Sequence, residues 1–143
     1  MGSIFAGIEE VNVKQRSRYV AAGNYEGEVQ AIKYGRTNQD DRPYFVCEVK
    51  VLKSDNPDFK EGSVMTWMTM VHKYKHYFLE EVKGFVAAVT DSTADEVTEE
   101  VVEFVTGEDQ PLAGTRVGVH AWDETNGNTG KAYTRTEFRL LSE

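Results

Sequence analysis

The chain has 143 residues, of which 40% are hydrophobic and 28% charged, values typical of one soluble globular domain and unlike those of a disordered chain. No apolar run approaches the roughly eighteen residues of a membrane-spanning helix, and residues 1–5 lack the basic and apolar regions expected of a secretory signal. The net charge of −8 and the pI near 4.9 argue against a polyanionic partner unless the acidic residues are segregated from the binding face.

Residues 1–22 show no clear period, and we expect them to form an irregular N-terminal arm. The basic cluster of this arm comprises Lys14, Arg16 and Arg18. From Gly23 to about Tyr34 apolar and polar residues alternate with a period of two, which predicts a half-buried strand. The inner face of this strand is expected to carry Tyr25, Val29 and Ala31.

A polar turn over residues 35–43 separates this strand from a second one over 44–53, and a third strand is predicted over 63–71. The inner face of the second strand is expected to carry Phe45, Cys47, Val49 and Val51. Because Cys47 lies inside a strand, we expect a buried, unreactive thiol. As the only cysteine it excludes an internal disulfide and favours a reducing cytoplasm.

The period then lengthens, which predicts a helical insertion over residues 74–106. Apolar residues at i, i+4, i+7, i+8 and i+11 indicate a first amphipathic helix over 74–89. Thr93 and Glu96 have the spacing of a capping box, which predicts a second helix running to about Val105. The residues expected to face inward on this second helix are Val97, Val101, Phe104 and Val105.

Nearly all of the acid excess lies in this insertion. Residues 80–109 contain ten carboxylates and one cation, Lys83, for a charge of −9, while the remainder holds 15 Lys/Arg against 14 Asp/Glu. We therefore predict an acidic helical side and a separate, neutral-to-basic face that leaves a nucleic-acid partner possible.

Two further strands are predicted over 115–122 and 131–141, joined by a glycine-rich loop. Residues 126–132 superficially resemble a phosphate-binding P-loop. However, position 125 is Thr rather than Gly, and Ala132 stands where the magnesium-binding hydroxyl is required. We interpret the segment as a hairpin loop.

Three strands, a helical insertion and two more strands match the element order of the OB-fold, a five-stranded antiparallel Greek-key barrel with a helix between strands three and four. Five short strands are also compatible with an SH3-like barrel or an open α+β sheet. The OB-fold, as a single domain over residues 1–143, is the preferred interpretation because the insertion falls between the third and fourth strands.

Cationic and aromatic residues cluster at the first hairpin, around the third strand and at the last hairpin, near the surfaces that OB-folds use for binding. Aromatic rings stack on bases, at roughly 1–3 kcal/mol each, while Lys and Arg contact phosphates. The competing interpretation is that Trp67 and several tyrosines belong to the core. The predicted nucleic-acid contacts are Lys33, Tyr34, Arg36, Arg42, Tyr44, Trp67, Lys73, Tyr74, Lys75, Trp122, Lys131, Tyr133 and Arg135.

Signals for catalysis are weak. His72, His76 and Glu80 have a spacing that can bind a metal on a helix, but Lys73 replaces the glutamate of a metalloprotease, and we interpret the histidines as a solvated pair. Paired carboxylates fall in loops and show no convergence on a metal site. We expect no enzymatic activity, no metal and no cofactor, with a metal-dependent nuclease as a distant alternative.

Over roughly residues 19–139 the chain resembles bacteriophage single-stranded DNA-binding proteins that are built on one OB domain. The motifs that carry the resemblance are Gly23-Asn24-Tyr25, Gly62-Ser63 before the Trp67 strand, Phe78 with Gly84-Phe85, residues 110–114 and residues 129–134. The resemblance implies a non-catalytic protein that coats displaced strands during replication and recombination in the host cytoplasm. The chain ends Arg139-Leu140-Leu141-Ser142-Glu143 without a long acidic tail, so recruitment of replication enzymes through such a tail is not implied.

Two functional hypotheses follow. The first is sequence-tolerant binding of single-stranded DNA, with RNA, other replication or recombination proteins and a second copy of the chain as further possible partners. The second is a non-catalytic interaction or assembly module that binds protein through its acidic helices.

Overall fold

The computed structural model describes residues 18–141 together with Ala6. These described residues are mostly β, with six strands in one curled sheet that forms a half-barrel. The strands are β1 (Arg18–Tyr19), β2 (Gly23–Arg36), β3 (Pro43–Ser54), β4 (Val64–Met70), β5 (Arg116–Thr125) and β6 (Ala132–Leu140). The helices are α1 (Lys75–Thr90) and α2 (Glu99–Val105), preceded by a 3-10 turn at Ala94–Glu96.

The sheet has the strand order β1-β4-β3-β2-β5-β6, and all neighbours are antiparallel except β1 and β4. The five predicted strands correspond to β2 through β6. The count of five is nevertheless wrong, because Arg18 and Tyr19 add a short parallel strand beside Met65 and Thr66. This pairing also corrects the expectation that residues 18–22 are wholly irregular, whereas Lys14 and Arg16 lie outside the described residues.

Residues 18–141 do not form the expected closed barrel. β4 and β6, both fully described, do not pair with each other, and the sheet remains open between them. The helices follow the fourth of six strands rather than the third of five. The half-barrel therefore agrees with the predicted mostly-β class and differs from the predicted barrel in strand number, helix position and closure.

The core lies between the inner face of the sheet and α1. Val82, Phe85, Val86 and Val89 are the buried residues of α1, which confirms the predicted amphipathic stripe. Alternate residues of β3 are fully buried beneath them. No helix in the described part of the chain is both long enough and apolar enough to cross a membrane.

β2 does not keep the simple alternation that was predicted. A register shift between Val29 and Ala31 places Ala31 opposite Glu48 and Ile32 opposite Cys47. Ile32 is therefore buried in place of the predicted Ala31. A bulge of this kind reverses the faces of all following residues, because the side-chain period of a strand is two.

The second predicted helix is divided. The Glu96 carboxylate accepts hydrogen bonds from the Thr93 amide and hydroxyl, both at 3.0 Å, but this pair caps the 3-10 turn. α2 begins later, where the Thr98 hydroxyl accepts from the Val101 amide at 3.3 Å. Phe104, predicted to face inward, is 63% exposed. That prediction is wrong because the helix is restarted after Val97.

Candidate nucleic-acid interface

The opening between β4 and β6 forms a cleft of about 1060 Å³. Its sides are residues 66–70 of β4 and 133–138 of β6, and α1 forms its base. The cleft exists because β6, one edge of the curled sheet, does not meet the part of β4 that extends past its pairing with β1.

Exposed tyrosines are concentrated in this cleft. Five of the seven tyrosines are exposed, and four of these five line it. They are Tyr19, Tyr74, Tyr77 and Tyr133, with exposed fractions of 65%, 50%, 58% and 45%. Exposed rings gathered on one surface can stack on planar ligands such as nucleobases.

Each of these rings is positioned by a different element. Pairing of β1 with β4, continued by a 3.0 Å bond from the Val20 amide to the Thr66 carbonyl, holds Tyr19 at the cleft. Tyr74 is the N-cap residue of α1 and contacts the edge of the Tyr77 ring, with centroids 5.9 Å apart. The Tyr133 hydroxyl donates a hydrogen bond of 2.9 Å to Glu124.

The charges that line the cleft are balanced. Lys73 and Arg135 provide two cations, and Glu81 and Glu137 provide two carboxylates. The Lys73 ammonium lies 5.4 Å from the centroid of the Tyr74 ring, within the range of a cation–π contact. The described lining of the cleft, within residues 18–141, is therefore neutral overall and rich in aromatic rings.

The acidic helical side is largely separate from the cleft. Of the ten carboxylates in residues 80–109, all of them described, only Glu81 lines the cleft. The carboxylates of the 3-10 turn and of α2 lie elsewhere, although α1 itself forms the base of the cleft. The predicted separation of charge thus has one exception, at Glu81.

Trp67 lines the cleft but belongs to the aromatic core. Its ring stacks on Phe85 at a centroid distance of 4.9 Å and meets Phe138 edge-on at 5.5 Å and Phe45 at 6.2 Å. Contacts with three rings leave little of Trp67 free to stack on a base. The competing core interpretation therefore describes this residue, and substitution of Trp67 is expected to reduce stability.

Trp122 lies outside the cleft, on the outer face of β5 and β6. Its indole N–H donates to the Glu124 carboxylate at 2.8 Å, and its ring stacks on His120 at 5.1 Å. Arg135 contacts the same carboxylate at 3.6 Å and lies 5.9 Å from the Trp122 ring. Hydrogen bonds from Trp122 and Tyr133 lower the pKa of Glu124, because they stabilise its charged form.

The predicted contacts at the first hairpin form a second group, outside the cleft. Their cations are paired with neighbouring carboxylates at 2.7–3.6 Å. The pairs are Lys33–Glu48, Arg36–Asp41 and Arg42–Asp40. Exposed pairs of this kind contribute little stability, so a phosphate could displace the carboxylates.

Tyr34 and Tyr44 lie on opposite faces of this hairpin. Tyr34 pairs with the buried Phe45, whereas Tyr44 pairs with Gly35 on the outer face. Beside Tyr44 a row of half-exposed apolar side chains crosses β3 and β4 outside the core cluster. Two of them, Met68 and Met70, also line the cleft and connect it to this outer face.

The structure thus brings together five of the thirteen predicted contacts. Those that line the cleft are Trp67, Lys73, Tyr74, Tyr133 and Arg135. Lys75 in α1 and Lys131 in the last loop lie outside it. The predicted set omitted Tyr19 and Tyr77. Tyr77 could have been found from its position near Tyr74. The sequence gives no sign that Tyr19 lies in a strand, because β1 is only two residues long.

The other chemical signals do not form sites. His72 precedes α1 and so does not share a helix with His76, and no metal-binding group of three or more His, Cys, Asp or Glu occurs among the described residues. Burial raises the pKa of the Cys47 thiol to about 12. Residues 126–131 form the β5–β6 hairpin turn, in which the Asn126 side chain accepts from the Asn128 amide at 2.8 Å.

The chain matched none of the protein-family models and none of the curated proteins with which it was compared. Candidate functions therefore depend on the geometry of the cleft and on the chemistry of its lining.

Proposed function

We propose that this protein binds single-stranded DNA with little sequence preference and coats exposed strands during DNA replication or recombination. The observation that carries the proposal is the gathering of four exposed tyrosines, with Lys73 and Arg135, in one open cleft. Stacking of a base on an aromatic ring contributes roughly 1–3 kcal/mol and tolerates any base, because every base has a π-face.

The half-barrel supports an OB-like assignment within this proposal. Without β1, the strand order is β4-β3-β2-β5-β6, and the helices lie between β4 and β5. In an OB-fold the second and third strands and the hairpin loops form the binding surface. Their counterparts here are β3, β4, the turn over 37–42 and the turn over 126–131.

Fluorescence anisotropy with labelled single-stranded and duplex oligonucleotides, at two salt concentrations, tests this proposal. We expect micromolar or tighter binding to single strands, weaker binding to duplex, and loss of affinity as salt rises because phosphate contacts release counterions. Flat isotherms for single strands at low salt would contradict it.

Substitution of individual tyrosines tests the location of the interface. Tyr74→Ala and Tyr133→Ala should each weaken single-strand binding by roughly 5- to 150-fold, the equivalent of one lost base stack. Tyr34→Ala is the matched control, because Tyr34 is the exposed tyrosine outside the cleft. A loss with Tyr34→Ala alone would move the interface to the first hairpin.

One observation favours protein binding as a second candidate function. Phe104 is exposed on α2, whose first turn carries Glu99 and Glu100, so an apolar side chain stands within an acidic surface. A pull-down in which a bound protein survives nuclease treatment and is lost with Phe104→Ala would support this alternative.

A further inference from the structure

Within residues 18–141, β6 is an edge strand of the sheet. It has nine residues and, within residues 18–141, its ladder partner is β5 alone. Seven of the nine residues are exposed. The edge therefore presents backbone N–H and C=O groups that have no strand partner on one side, which is a template for strand addition.

Proline, lysine and β-bulges, three of the usual protections of a sheet edge, are missing from β6, whose charged residues are Arg135, Glu137 and Arg139. The strand contains no proline and no lysine, and its register with β5 runs without a bulge from Ala132 to Leu140. Natural sheets commonly block such edges with those devices. An edge that lacks them in a folded protein is suited to a specific partner strand.

The sequence of β6 is complementary to itself in the register centred on its middle residue. A two-fold axis perpendicular to the sheet pairs each strand with its copy, so one residue must face itself at the centre. Thr136 is the middle residue of β6, and centring there aligns all nine residues. Arg135 then lies opposite Glu137 of the second copy, and Tyr133 lies opposite Arg139 of that copy.

Neighbouring registers are unfavourable. Centring on Arg135 places two guanidinium groups opposite each other, and centring on Glu137 places two carboxylates opposite each other. Like charges directly across a pair of strands are destabilising, whereas opposite charges stabilise it. The charge pattern therefore excludes the two adjacent registers, and the Thr136 register is the one that aligns all nine residues of β6.

We infer that two copies of this chain associate through antiparallel β6–β6 pairing centred on Thr136, which joins their sheets in a symmetric dimer. The inference depends on the edge and charge pattern of β6, whose residues 133–138 also form one side of the cleft. The dimer is therefore tested without DNA, so that its failure and the failure of the proposed function are distinguishable. The partner is a second copy of the same chain because the complementarity is internal to β6.

Charge reversal with equilibrium sedimentation tests the register. We expect a concentration-dependent monomer–dimer equilibrium for the unmodified chain. Arg135→Glu should raise the dimer dissociation constant about tenfold or more, because it replaces two Arg–Glu pairs with two Glu–Glu contacts. The double variant Arg135→Glu/Glu137→Arg restores both opposite-charge pairs and should recover most of the lost affinity.

Cysteine cross-linking supplies a measurement of geometry. Thr136→Cys should form an intermolecular disulfide under mild oxidation, since the two residues face each other across the axis. Thr134→Cys is the matched control, because its two copies would be about 14 Å apart, four residues at about 3.4 Å each. The native Cys47 is buried and should not contribute.

Three outcomes would overturn the inference. They are a chain that sediments as a monomer at high concentration, a dimer that is indifferent to Arg135→Glu, and cross-linking that is equally efficient at positions 134 and 136. Recovery by the double variant together with selective cross-linking at 136 would establish it.

Discussion

At the scale of single residues, Gln110 replaces a missing strand. The register of β2 with β5 ends at Glu28, and backbone bonds of Val29 to residues 114–115 continue the contact by one residue. Beyond Val29, β2 has no strand partner on that side among residues 18–141. The Gln110 side chain accepts from the Ile32 amide at 2.6 Å and donates to the Ile32 carbonyl at 2.8 Å. One amide side chain thus satisfies both backbone groups of a buried residue.

We predict that Gln110→Ala lowers the free energy of unfolding by about 1–3 kcal/mol, because the backbone N–H and C=O of Ile32 lose their partners. Gln39→Ala, at an exposed turn position, is the control and should change stability by less than about 0.5 kcal/mol. Urea denaturation of both variants provides the measurement. Equal losses of stability in the two variants would mean that the backbone N–H and C=O of Ile32 find other hydrogen-bond partners.

A second residue-scale prediction concerns Glu124. Hydrogen bonds from Trp122, then Tyr133, lower its pKa from the ordinary value of 4.5. The stability that these bonds contribute is therefore present above pH 4.5 and is lost as the pH falls through the lowered pKa of the folded state. An NMR titration of the Trp122 indole proton should show an inflection below pH 4.5.

Glu124→Gln is the control for this titration. The variant has no ionisable group beside the indole and should remove the inflection. An inflection at or above the ordinary pKa in the unmodified protein would contradict the prediction, because it would show that these hydrogen bonds do not favour the charged carboxylate.

At the scale of elements, the two helices differ more clearly in how many of their residues are buried than in their sequences. α1 has four buried residues, whereas Val105 is the only buried residue of α2. Periodicity predicted α1 correctly because its apolar stripe continues over four turns. The second helix was predicted as one piece because a capping box cannot distinguish a 3-10 turn from an α-helix.

The two helices provide a matched pair of phenylalanines. Phe85 is 4% exposed and contacts Phe45, Trp67 and Phe138, whereas Phe104 is 63% exposed. We predict that Phe85→Ala lowers the free energy of unfolding by about 3–5 kcal/mol and that Phe104→Ala changes it by less than about 1 kcal/mol. Chemical denaturation measures both. Similar losses would place Phe104 in a packed environment.

At the scale of the whole molecule, the distribution of charge predicts how the proposed DNA binding depends on salt. Two cations, Lys73 and Arg135, line the cleft. Each phosphate that is neutralised on a single strand contributes about −0.7 to the slope of log K against log salt concentration. Two cations should therefore give a slope of about −1.4.

Participation of the first hairpin would change this slope. Adding Lys33, Arg36 and Arg42 would raise the cation count from two to five and steepen the slope to about −3.5. Lys73→Gln should reduce the magnitude of the slope by about 0.7 if the cleft is the binding surface. Anisotropy titrations over a range of salt concentrations distinguish the two surfaces.

The positions of the candidate residues were predictable, but their grouping was not. Tyr74 and Tyr133 are 59 positions apart in the chain and line the same cleft only because the sheet curls. Trp67 and Trp122 have similar strand contexts, yet one enters an aromatic core and the other a hydrogen-bonded network on the outer face. Strand alternation does not reveal which element covers a given face.

The sequence by itself determined the positions of β2 through β6, the course of α1 and the concentration of acid in the helical region. These features are local, since burial of one face imposes a period of two or 3.6 on neighbouring residues. Only the tertiary structure decided that β1 pairs with β4, that β2 bulges before Ile32 and that the sheet stays open between β4 and β6. Those features depend on which distant strand edges meet, and this is set by the curl and register of the whole sheet.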